Sequence, residues 1–94
     1  LVVGTHTHVP TNDIRILGNG TAYQTDAGMC GDYDSVVGMN KINSLNRFLK
    51  KESSKHFPAE GIATLSGLIV ECDTSNGLAT KAEPFIYGGE LINN

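Results

Sequence analysis

Two histidines separated by one residue, His6 and His8, sit in the segment Gly4-Thr5-His6-Thr7-His8-Val9-Pro10-Thr11, where this 94-residue sequence concentrates its chemistry. Imidazole nitrogen is a favoured ligand for divalent transition metals, and two such ligands one residue apart can converge on a metal site. In a flat strand their side chains would share one face with Cα atoms roughly 6–7 Å apart, and convergence on one site is read as needing a turned backbone. Gly4 and Pro10 are read as the residues that let the loop curl. Two merely solvated loop histidines are the plain alternative. His-Thr-His straight after an apolar run, framed by Gly and Pro, favours a metal instead. The spacing by itself does not name an enzyme, and Asp13 could complete a mononuclear centre of two histidines and one carboxylate.

Other polar residues are weaker candidates. Asp26, Asp32 and Asp34 lie in a glycine-rich stretch and could orient a ligand histidine through its other ring nitrogen, although such residues more often satisfy the backbone of turns. Ser35 lacks both a Gly-x-Ser-x-Gly setting and an adjacent base, and is read as a cap or turn residue. His56, in a polar linker before Phe57-Pro58, is expected to be solvated. Thr5, Thr7 and Thr11 are expected to bond loop backbone, with no catalytic role. Cys30 and Cys72 follow no metal or redox spacing and are read as reduced packing cysteines rather than a disulfide.

The elements that must position these residues follow from pattern. Residues 1 to 4 read as a buried strand entered partway along, so the sequence is expected to be the C-terminal portion of something longer. Thr5 to Asp13 reads as a loop, and Ile14 to Leu17 with Thr21 to Thr25 as a hairpin around Gly18-Asn19-Gly20. Asp26 to Asp34 should be irregular, broken by Gly28 and Gly31. From about Asn40 to Lys51, the residues Ile42, Leu45, Phe48 and Leu49 recur at helical spacing, with Asn40 as N-cap and Lys50-Lys51 at the C-terminal end of the dipole. After a linker, Glu52 to Glu60, two strand-like runs, Ile62 to Cys72 and Leu78 to Tyr87, flank the turn formers Asp73-Thr74-Ser75-Asn76-Gly77. Gly88 to Asn94 is expected to be loose. The segment itself should therefore be α+β, with two hairpins and one main helix, within a larger α/β sandwich.

Composition narrows the partners. A formal charge of −3, with only Lys50-Lys51 as a basic doublet, offers no positive stripe to track a phosphate backbone, so long nucleic acid is not expected. Phosphate chemistry would then need metal ions, because the side chains alone supply too little positive charge. No run approaches the roughly 20 apolar residues of a membrane span, and the protein is expected to be soluble and cytoplasmic.

The wording around the histidines carries a resemblance. Gly4 to Thr11, then Thr25-Asp26-Ala27-Gly28-Met29-Cys30-Gly31, then Tyr33-Asp34-Ser35-Val36-Val37-Gly38-Met39, closely resembles the C-terminal part of the bacterial YmdB-like calcineurin-type metallophosphoesterases. It continues through Arg47-Phe48-Leu49 into Phe57-Pro58-Ala59-Glu60 and so covers essentially the whole of residues 1 to 94 as one portion of a single domain. The resemblance implies a four-layer α/β sandwich with a dinuclear site, in which His6 ligates one ion and His8 the other. It implies two metal ions, manganese or iron with zinc as an alternative, sharing a hydroxide that attacks phosphorus in line. The substrate implied is a small phosphodiester of the 2′,3′-cyclic nucleotide type. The family's remaining ligands and its general acid match nothing in this chain, so no catalytic residue beyond His6 and His8 is assigned and the isolated segment is expected to be inactive. A homo-oligomer is left open. The competing expectations are a regulatory or interaction module, using the long hairpin as a sheet edge, and a mononuclear cupin-like enzyme built on His6, His8 and Asp13.

Overall fold

Val2 and Val3 form a first short strand, β1, whose β-branched side chains suit an extended backbone. It is followed by the loop that carries both histidines. Two further strands, β2 (Arg15–Ile16) and β3 (Ala22–Gln24), pair antiparallel across the glycine-bearing turn. Leu17 N–H bonds Thr21 O at 2.8 Å and Gly20 N–H bonds Leu17 O at 2.9 Å, which closes that turn. The sheet order is β1-β3-β2, with β1 parallel to β3 in the register Val2 to Tyr23 and Val3 to Gln24. This chain is a computed structural model that describes residues 1–49 and 56–91.

Asn40 starts the helix α1 (Lys41–Phe48) by accepting the Asn43 N–H on Oδ1 at 2.9 Å, satisfying one of the donors a helix N-terminus leaves free. The helix ends at its C-cap Leu49, and the expected extension over Lys50-Lys51 lies outside the described residues, as do positions 52 to 55 of the linker. Its apolar side is turned to solvent: Ile42, Leu45, Phe48 and Leu49 are all exposed, Phe48 by 83%, and the buried residue is Asn43. The periodicity is therefore genuine, but nothing among the described residues covers it.

The second sheet is a two-stranded antiparallel ribbon, β4 (Leu65–Cys72) and β5 (Ala79–Tyr87), running in register from Leu65 opposite Tyr87 to Glu71 opposite Lys81, with an irregularity before Cys72 pairs with Ala79. The turn 73–77 is built as its residue types dictate. Asp73 Oδ1 accepts from Ser75 N–H at 2.8 Å and Ser75 Oγ at 2.6 Å, and Gly77 takes a φ of +74°. Pro84 is tolerated because both strands of a two-stranded ribbon have one unpaired edge. Residues 88 to 91 are more ordered than a loose end. Gly89–Leu91 forms a 3-10 turn, and Thr64 Oγ1 donates to Gly88 O at 2.8 Å.

Polar contacts join these parts. Among the described residues Ala22 is the buried hydrophobic one, whereas Gln24, Asp26, Asn43, Thr64 and Ser66 are buried polar ones. The ribbon is tied to the glycine-rich segment by the reciprocal pair Gly31 N–H to Thr64 O (3.0 Å) and Thr64 N–H to Gly31 O (2.7 Å), and by Ser66 Oγ to Ala27 O at 2.7 Å. Ala79 N–H to Gly20 O, at 2.8 Å, fastens its far end to the β2–β3 turn. Leu1, Val2 and Val3, expected to be a strand buried in a longer protein, are exposed among the described residues. No described helix is long and apolar enough to cross a membrane.

Candidate metal centre

The histidine loop leaves the sheet at the end of β1, where Gly4 N–H bonds Gln24 O at 3.1 Å and Gly4 O accepts from Ala27 N–H at 2.9 Å. Loops at the carboxyl ends of parallel strands are a common place for sites. The backbone turns at the histidines themselves, with φ of +137° at His6 and +69° at His8. This corrects the reading that Gly4 and Pro10 supply the curl. Gly4 serves close approach instead, since a Cβ there would meet Thr25 O at 2.1 Å. Sparsely populated backbone at non-glycine residues costs of order 1–3 kcal/mol each and persists only where the surroundings enforce it.

Two sets of contacts do so. His8 Nδ1 lies 2.7 Å from Val37 O. A carbonyl can only accept, so Nδ1 carries the proton and Nε2 keeps its lone pair for a ligand. Val37 itself has φ +47° and, with Gly38 at +91°, makes the turn of a tight hairpin closed by Val36 N–H to Met39 O (3.0 Å) and Met39 N–H to Val36 O (2.9 Å). The second set converges on Asp26, which is 2% exposed. Its Oδ2 accepts from Thr7 N–H at 2.7 Å and Thr7 Oγ1 at 2.8 Å, and its Oδ1 accepts from Gly28 N–H at 2.8 Å. These donors hold the Asp26 carboxyl below the usual carboxylate range, with the Gly28 N–H the largest cause, then the two bonds from Thr7.

Asp13 does not join the histidines. Its carboxylate accepts from Thr11 Oγ1 at 2.6 Å, from Thr25 N–H at 3.1 Å and from the Thr25 hydroxyl, and Arg15 stands 3.9 Å away. The hydrogen bonds from Thr11 and then Thr25 lower its pKa from 3.8 to about 2. Among the described residues no three His, Cys, Asp or Glu side chains gather as a metal site, so the mononuclear centre of His6, His8 and Asp13 is not formed. What this chain offers a metal is a pair of imidazoles on a strained loop, one of them with its tautomer set. That donor chemistry fits an ion whose other ligands come from elsewhere.

The remaining candidates have structural work. Asp32 accepts Asp34 N–H (2.8 Å) and Gly61 N–H (3.0 Å), while Asp34 binds Lys41 Nζ through both oxygens at 2.9 Å. Ser35 is a turn residue, its Oγ donating to Asp32 O at 2.5 Å and accepting Gly38 N–H at 2.8 Å. His56 is exposed. Cys30 and Cys72 are free thiols, as expected, but both are exposed rather than packed. Sequence reasoning missed the Val37 carbonyl, because no side-chain pattern announces a backbone acceptor. It also set Thr7 aside, although a hydroxyl residue between two candidate ligands was the available signal.

The structure thus shows a strained His-x-His loop at a strand end, with one ring nitrogen of His8 bonded to a backbone carbonyl. The chain belongs to the family described as YmdB-like protein, whose model matches residues 1–85. It is 48% identical over 89 residues to the 2′,3′-cyclic-nucleotide 2′-phosphodiesterase of Bacillus subtilis (strain 168), covering 95% of this chain and 34% of that protein. It is also similar to the crystal structure of a novel phosphatase from Mycoplasma pneumoniae, with 37% identity and a TM-score of 0.82 over 92% of this chain and 31% of that one. A hypothetical protein from Thermus thermophilus superposes with a TM-score of 0.79 at 35% identity, covering 94% of this chain and 34% of the other. The chain thus spans about a third of the length of these relatives.

Proposed function

We propose that the whole protein is a metal-dependent phosphodiesterase acting on 2′,3′-cyclic nucleotides, and that His6 and His8 each contribute a ligand to one of two ions at its centre. The observation that carries the metal assignment is the commitment of His8 Nδ1 to Val37 O, which leaves Nε2 as a donor. The substrate class rests on the name of the Bacillus subtilis relative. Two bound ions would supply the positive charge a phosphoryl group needs and would activate water for in-line attack. This chain's own part is to present two neutral imidazoles in fixed orientation; neither acts as a base. Its share of the fold completes a four-layer α/β sandwich, and manganese or iron suits imidazoles combined with oxygen ligands, zinc being the alternative.

The test is substitution of each histidine by Ala in the whole protein. Bound manganese and the rate of 2′,3′-cyclic AMP hydrolysis should fall together. Full activity with both ions retained would refute the assignment.

A further inference from the structure

We infer that Asp26 is a positioning residue for the two histidines, acting on the peptide between them rather than on either ring. The inference rests on the reading of His6 and His8 as metal ligands. Ligand histidines are ordinarily oriented by a hydrogen bond at the ring nitrogen that does not face the metal. His8 has that bond in the Val37 carbonyl, whereas the His6 ring makes no hydrogen bond among the described residues. The placement of His6 must therefore come from its backbone.

Thr7 is the residue both histidines flank, and its N–H and its hydroxyl end on one oxygen, Asp26 Oδ2, at 2.7 and 2.8 Å. The carboxylate cannot follow the loop if the loop moves. Its other oxygen holds Gly28 N–H at 2.8 Å, its own N–H donates to Thr11 Oγ1 at 2.9 Å, and its carbonyl accepts Thr11 N–H at 3.0 Å. Swinging Thr7 outward would strip a 2%-exposed carboxylate of two of its three donors. The competing geometry is an extended His6-Thr7-His8, with negative φ at both histidines and the rings therefore held in other directions. Asp26 thus selects the turned backbone, with φ of +137° at His6 and +69° at His8, over the extended one. No proton transfer is assigned to it, since its carboxylate bonds Thr7 and Gly28 and neither ring.

The experiment uses the whole protein, stripped of metal and titrated with Mn²⁺ by calorimetry well below its melting temperature, alongside thermal melts of the metal-free forms. Asp26→Asn replaces one accepting oxygen by an amide that cannot accept. Mn²⁺ affinity should fall by about 10–100-fold, the range seen for groups that orient ligands. Thr7→Val, which removes only the hydroxyl, should lower it several-fold and serves should Asp26→Asn fail to fold. Thr7→Ser, which restores the hydroxyl, should return affinity to within about twofold of the original. A merely structural Asp26 would lower the melting temperature of the metal-free protein and leave the affinity of the folded form unchanged; that result, with affinity lost in His6→Ala, overturns the inference alone. Mn²⁺ affinity unchanged in both His6→Ala and His8→Ala would overturn the metal reading and this inference with it.

Discussion

Substituting Gly4 by Ala tests whether the entry to the histidine loop is as rigid as its contacts imply. A Cβ at Gly4 would stand 2.1 Å from Thr25 O and 3.2 Å from Thr25 C, both backbone atoms that cannot rotate away. Ordinary carbon to oxygen contact is roughly 3.3 Å, so β1 and β3 must part by about 1 Å at this point. Two hydrogen bonds lie in the path of that movement, Gly4 N–H to Gln24 O at 3.1 Å and Ala27 N–H to Gly4 O at 2.9 Å. Each contributes about 1 kcal/mol, and forcing an extra methyl into a filled space costs about 1–3 kcal/mol more. Alanine recovers about 0.5 kcal/mol by restricting the unfolded chain. The net expectation is a loss of about 2.5–4.5 kcal/mol, read as a lower urea midpoint at constant m-value in the whole protein. Gly18→Ala is the control, because a Cβ there meets nothing within 4 Å, and it should stay within about 0.5 kcal/mol of the original. Equal midpoints for Gly4→Ala and Gly18→Ala would show that the strand end yields freely and that the reasoning from close approach is wrong.

Two further outcomes follow from the loop's charges and strain. Asp13 has its pKa lowered from 3.8 to about 2 by Thr11 and Thr25, so its contribution to stability is complete above pH 3.8 and is lost as pH falls toward 2. Urea unfolding of the whole protein between pH 2 and 5 should therefore lose part of its pH dependence in Asp13→Asn, and an unchanged slope would contradict the assignment. Val37 holds a left-handed φ of +47° that β-branched side chains disfavour. Asn adopts that conformation more readily, so Val37→Asn should raise stability by about 1 kcal/mol while Mn²⁺ affinity stays unchanged, because the carbonyl that orients His8 is retained.

The elements were legible wherever local pattern and turn chemistry agreed. Gly18-Asn19-Gly20 and Asp73 to Gly77 announce their hairpins because those residue types accept the torsions that tight turns impose, and Asn40 announces the helix start because its side chain can accept an N–H. What did not show was longer in range. Nothing in Leu1-Val2-Val3 says that this strand lies parallel to β3 rather than beside β2, since the two arrangements demand the same residue types. The apolar face of α1 was legible as a face, but not as one that lies open here, because periodicity records what a helix can bury and not what is present to cover it. Of the site, the histidine pair was visible as residue types at a spacing. Its geometry was not, because the curl comes from φ values at the histidines that no neighbouring residue dictates, and the groups enforcing them lie 19 and 29 positions away along the chain.

That separation explains why the interior of this chain is polar. A loop that turns at two non-glycine residues cannot join a strand ladder, so its N–H groups need acceptors from elsewhere, and side chains must take the place of a neighbouring strand. Asp26 does this for Thr7 and Gly28, and Ser66 does the reverse for Ala27 by donating to its carbonyl. Once such groups are buried they must remain paired, because each broken bond leaves a desolvated atom with no partner. The loop's shape is then set by a shared network, which suits two side chains that are to be held in a single arrangement. Apolar surface contributes little to this part of the molecule: Leu1, Val2, Ile42, Leu45 and Phe48 are all more than half exposed. Apolar faces of that extent are ordinarily covered by further protein, and the relatives, about three times as long, have it to offer. Covering them would stabilise the scaffold without touching the bonds that shape the loop, so stability and site geometry rest on different contacts.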